Sequence, residues 1–141
     1  LNEIMPANKE ACADEAGEYD DWVELFNTSN ASLDLGGYSL TDDTALPYQS
    51  VLPSGTVIPA LGTLLFWADA TPVQGKHHLT FSLKSDGEEV VLYDADARQV
   101  DIYRWTNASN KESYARFPDG TGAWGIGRAP TCGTRNSTSS K

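Results

Sequence analysis

Six carboxylates crowd one short stretch of the chain: Asp14, Glu15, Glu18, Asp20, Asp21 and Glu24 fall within eleven residues. Like charges that close repel one another unless water or a cation separates them. Carboxylate oxygens, helped by backbone carbonyls, are the hard donors that Ca2+ takes, six to eight of them at about 2.3–2.6 Å. Asp14, Glu15, Glu18 and Asp20 are therefore the candidate metal ligands, and calcium is the one cofactor they suggest. Their spacing is not the D-x-[DN]-x-[DN]-G of an EF-hand loop. A solvated acidic loop between two strands accounts for the same residues, with Asp21 and Glu24 placed for local structure. No Lys or Arg lies between Lys9 and Lys76 to neutralise the block.

Other constellations carry less chemistry. His77 and His78 are the only histidines, and on a strand adjacent side chains point to opposite faces, so one is expected to pack and the other to be exposed. Gly120 to Gly125 spells G-x-G-x-x-G, but Pro118-Asp119 precedes it and Ile126-Gly127-Arg128-Ala129-Pro130 does not continue as the helix a dinucleotide needs. Asp94 and Asp96 are explained by a hairpin turn. No G-x-S-x-G occurs for a serine nucleophile. The acids are numerous enough for a carboxylate-based hydrolase, yet nothing in their spacing selects a pair. No catalytic residue is named, and the chain reads as a non-enzyme. Tyr48 and Trp105, beside polar loop residues, are the candidate platform for a sugar or peptide.

The elements that must hold these residues are short. Turn residues punctuate the chain, and β-forming runs fill the gaps at Leu1–Met5, Trp22–Phe26, Gly37–Leu40, Thr56–Ile58, Leu64–Ala68, His78–Ser82, Glu89–Tyr93, Gln99–Tyr103 and Ser113–Phe117. In Trp22–Phe26, residues 22, 24 and 26 face one way and 23 and 25 the other. At most a short helix fits, near Asn8–Ala16. So many short strands indicate an antiparallel sandwich or barrel. The tail over 134–141 is polar and reads as disordered.

Charge and size narrow the partners. A length of 141 residues suits one domain. A net charge of −10 and a sequence pI near 4.4 oppose nucleic acid and anionic membranes and favour cations or basic proteins. No run approaches the ~18 apolar residues of a membrane-spanning helix. Leu1 reads as a boundary inside a larger protein. Cys12 and Cys132, the only cysteines, would bridge in an oxidising compartment and stay free thiols in a reducing one.

Seven stretches in order resemble the lamin tail domain. They are Leu1-Asn2-Glu3-Ile4-Met5; Asp14-Glu15 with Gly17 through Asn27, like D-E-x-G-x-x-D-W-x-E-L-x-N; Leu33 to Asp43; Pro53 to Ala60; His78 to Leu83 with Gly87 to Asp94; Ala115 to Trp124, like R-x-P-D-G-T-G-x-W; and Ala129 to Gly133. Cys132 stands where proline is usual, and Ala97 replaces an expected glycine after Asp94-Ala95-Asp96. The resemblance implies an all-β, immunoglobulin-like antiparallel β-sandwich of about nine short strands over residues 1–133, with Trp22, Trp67 and Trp124 in the core. It implies a non-catalytic accessory or binding domain of a larger secreted or cell-surface bacterial protein, mediating protein–protein or domain-positioning interactions. A calcium-ordered carbohydrate- or peptide-binding module is the alternative. A monomer outside the cell, with a protein partner or neighbouring domain, is the matching expectation.

Overall fold

The computed structural model describes residues 1–6, 8, 12–75, 77–83, 88–106, 113–128 and 131. Among them are eleven strands: β1 (Glu3–Met5), β2 (Trp22–Phe26), β3 (Leu33–Asp34), β4 (Ser39–Thr41), β5 (Ser50–Val51), β6 (Val57–Ile58), β7 (Thr63–Trp67), β8 (Glu88–Tyr93), β9 (Gln99–Trp105), β10 (Ser113–Phe117) and β11 (Ala123–Arg128). One sheet has the order β11-β10-β1-β2-β7, a second β5-β4-β8-β9, and β3 pairs with β6 apart from both. Every strand pairing is antiparallel. Ile4, Val23, Leu25 and Phe66 from the first sheet share one core with Leu40, Val90 and Leu92 from the second. The result is an all-β, immunoglobulin-like sandwich.

Strand β2 is buried on both faces, and its alternation explains how. Val23 and Leu25 enter the core between the sheets, while Trp22 packs with Met5 and Trp67 in a second cluster. Glu24 follows Trp22 to that outer face and is fully buried. A buried carboxylate is costly unless hydrogen-bonded. Asn2 supplies the bond, donating through Nδ2 to Glu24 Oε1 at 2.8 Å and to Asp119 Oδ1 at 2.9 Å. Its Oδ1 accepts the Gly120 amide at 2.7 Å. One asparagine thus ties β1, β2 and the turn before β11 together. Gly120 has φ +75°, and a Cβ there would lie 2.5 Å from Phe26, so only glycine lets this turn close on β2. Asn27 performs the same service at the far end, donating to the Ala31 carbonyl at 2.8 Å.

The structure differs from the sequence reading at particular elements. Residues 78–82 form no continuous strand; Trp67↔His78 and Asp69↔Ser82 are isolated bridges flanking a turn and a 3-10 helix at Pro72–Gln74. Strands β3 and β5, two residues each, are too short to carry an alternating pattern. Strand β11 has no strand signal in the sequence because Gly125 and Gly127 dilute its β propensity; the hairpin with β10 supplies the pairing. Trp105 is not a surface aromatic: it is 5% exposed and stacks near Tyr114 at 6.3 Å, because β9 turns that face into the core. No helix occupies described residues 12–16, where 15–17 make a turn. The expected polar tail, 134–141, lies outside the described residues.

Candidate cation site

Antiparallel pairing of β2 with β7 brings two connections to one end of the first sheet. Trp22 faces Trp67 across the ladder, and the Ala68 amide donates to the Asp21 carbonyl at 2.8 Å. The loop entering β2 and the segment leaving β7 therefore meet. Asn8 pins the loop, its amide donating to Asp21 Oδ1 at 2.7 Å and its Nδ2 to the Asp20 carbonyl at 2.8 Å. Cys12 packs on the Met5, Trp22 and Trp67 cluster and is disulfide-bonded. Cys132, its expected partner, lies outside the described residues.

Asp14 builds the turn that follows. Its Oδ1 accepts the amides of Ala16 and Glu18, both at 2.9 Å, while its own amide donates to the Glu18 carbonyl at 2.8 Å. Gly17 completes the turn at φ +79° and donates to the Asp14 carbonyl. Asp94 repeats this pattern between β8 and β9: Oδ1 accepts the amides of Asp96 and Arg98 at 2.9 and 3.0 Å. The turn alone therefore demands no metal, and Asp94 and Asp96 are a hairpin device.

What distinguishes Asp14 is its other oxygen. The residue is only 7% exposed, and Oδ2 is buried with no hydrogen-bond partner. Asp14, Glu18 and Asp20 each bring a carboxylate oxygen within 4.8 Å of the others. Asp20 Oδ2 is likewise buried and unpartnered, as is Gln74 Oε1 from the Pro72–Gln74 turn. Gln74 is joined to the cluster through Nε2, which donates to Glu18 Oε1 at 2.7 Å. Two carboxylates about 4 Å apart repel by about 4 kcal/mol at an effective dielectric of 20. Burial, then the facing Asp14 carboxylate and the nearby Asp69, push Asp20 up to about 6. Burial would also raise Asp14, but the Glu18 amide, a hydrogen bond from the Asp20 carboxyl in its protonated form, the Ala16 amide and the charge of His78 outweigh it and hold this carboxyl below its usual range.

Glu15 leaves the group. Its Oε1 lies 2.5 Å from His78 Nε2, while His78 Nδ1 lies 2.6 Å from Asp69 Oδ2. His78 is the buried histidine and His77 the half-buried one, set edge-on to Phe66. Burial opposes protonation of His78, but Asp69 and Glu15 win and raise its pKa. Both ring nitrogens are engaged, so the neighbouring trio of Asp14, Asp69 and His78, close as its atoms are, offers no free nitrogen lone pair. The available donors are oxygens, the set that suits Ca2+ rather than Zn2+.

Asp69, Gln74 and His78 were absent from the sequence reading of the site. Asp69-Ala70-Thr71 was the one usable signal, an Asx turn in which Asp69 Oδ1 accepts the Thr71 amide at 3.0 Å. The two ligand-platform candidates are not brought together. Tyr48 is 54% exposed and lines a shallow cavity of about 290 Å³ with Leu46 and Pro47. Trp105 floors a separate cleft of about 530 Å³ beside Glu89, Arg104 and Tyr114.

Comparison with curated proteins and with solved structures finds no match for the chain. A family model, the Lamin Tail Domain, matches residues 1–107 of the 141. The span includes Asn2, Glu24 and Asn27, whose hydrogen bonds fasten the sandwich, and the whole acidic loop. The chain belongs to the lamin tail domain family, a family of non-enzymatic, immunoglobulin-like domains.

Proposed function

We propose that this chain is a non-catalytic accessory domain of an exported or cell-surface protein, holding a neighbouring module in place or binding a protein partner. The observation that carries the reading is the employment of its acid–base groups. Glu3 accepts from Ser113 Oγ at 2.5 Å and from the Thr131 amide at 3.1 Å. Glu24 holds Asn2, Arg116 holds Asp101 through Nη2 at 2.9 Å, and His78 is clamped by two carboxylates. Groups fixed in this way position strands and loops, and are not poised over a substrate. The disulfide at Cys12 supports an oxidising compartment, and the exposed Leu46 and Tyr48 loop supports a partner-facing surface.

The test is deletion of residues 1–133 from the parent protein. The remainder is expected to keep its own fold and any activity on small soluble substrates while losing attachment to its native partner or surface. Turnover of chromogenic glycosides or esters by the isolated chain, abolished by a carboxylate-to-amide substitution, would contradict the reading.

A further inference from the structure

We infer that the side-chain cluster where the acidic loop meets the Pro72–Gln74 turn is a Ca2+ site, with Asp14, Glu18 and Asp20 as charged ligands and Gln74 as a neutral one. Two separate observations meet there. Three carboxylates converge within 4.8 Å with no described Lys or Arg joined to them. Independently, of the four buried side-chain atoms without a partner among the described residues, three are the acceptor oxygens of Asp14, Asp20 and Gln74. A buried acceptor without a donor is costly to leave unmet. Clustered oxygens of this kind lack the one thing a cation supplies.

The chemistry of the donors selects the ion. Carboxylate and amide oxygens are hard ligands, and a loop-borne set tolerates the irregular six- to eight-fold shell of Ca2+. Mg2+ demands a near-octahedral shell and keeps several waters. Zn2+ would require nitrogen or sulfur, and the nearby His78 already has Asp69 and Glu15 on its two ring nitrogens. The ion would also reinforce two connections that already meet through Gln74 to Glu18 and Glu15 to His78. Its role is that of a staple, and it stands whether or not the domain has a protein partner.

The experiment is thermal unfolding at pH 7.5 in chelator, in 10 mM Ca2+, in 10 mM Mg2+ and in NaCl of matched ionic strength. A native-state ligand raises stability by mass action, and at the 10⁻⁴–10⁻³ M affinity usual for extracellular modules a rise of about 5 °C in Ca2+ is expected. Asp14→Asn keeps Oδ1 for the Ala16 and Glu18 amides and points an NH2 toward Asp20. It is expected to melt no lower than wild type in chelator and to lose the calcium response. Asp20→Asn is expected to lose the response as well. No rise in wild type, an equal rise in Mg2+ or NaCl, or an unchanged calcium shift in either variant would overturn the site.

Discussion

Glu3 illustrates how single residues of the signature behave once folded. It is fully buried on β1, and desolvation raises its pKa above the usual 4.5 despite the hydrogen bonds from Ser113 and Thr131. A carboxyl raised on folding contributes stability that is fully present below its unfolded pKa and lost as pH rises through its folded one. Each unit of such a shift is worth ~1.4 kcal/mol. Replacing Glu3 with Gln removes that titration while keeping an oxygen for the Thr131 amide. Denaturant melts should therefore show the variant gaining on wild type as pH rises from 4 to 8. A difference independent of pH would refute the assignment. His78 titrates with the same sign, but it is common to both proteins and drops out of the comparison.

At this scale the sequence was partly legible. The convergence of Asp14, Glu18 and Asp20 followed from their proximity in the chain, because one turn gathers them. The diversion of Glu15 to His78, 63 residues away, did not, since nothing local announces a long-range partner. The burial of Trp105 is hidden from the sequence for a related reason. Its polar neighbours in the chain say nothing about the face of β9 it occupies.

At the scale of elements, the two Asp-headed turns form a natural pair. Residues 14–18 and 94–98 share the same hydrogen bonds, but the left-handed position is Gly17 at φ +79° in one and Ala97 at φ +60° in the other. A left-handed conformation costs a non-glycine residue roughly 1–2 kcal/mol, offset in part by the greater chain entropy of glycine when unfolded. Ala97→Gly should stabilise the domain by about 0.5–1 kcal/mol, and Gly17→Ala should destabilise it by a similar amount. No atom lies within 4 Å of a Cβ built at Gly17, so the comparison isolates the backbone. Equal melting temperatures for both variants and wild type would show that the two turns do not bear this strain. The cost at Ala97 was readable from the sequence through the missing glycine. Strands with strong alternation, β2 above all, were readable too; β3, β5 and β11 were not, because tertiary pairing and not local pattern creates them.

The whole molecule divides its acidity between two uses. From Trp22 to Asn27 the acidic stretch is framework: Glu24 and Asn27 are sealed into hydrogen bonds, while Val23 and Leu25 face one core and Trp22 the other. From Asp14 to Asp20 it is a loop held against the far side of the same sheet end, with buried oxygens left over. The family signature therefore writes a scaffold, and the unclaimed chemistry sits beside it. The net charge of −10 adds a general attraction for cations to that local one. The most direct test of this division is a calcium titration followed by amide-resolved NMR. The account predicts shifts confined to residues 14–20 and 69–75, with the strands of both sheets unmoved. Shifts spread through β1 and β2, or none up to 10 mM Ca2+, would contradict it.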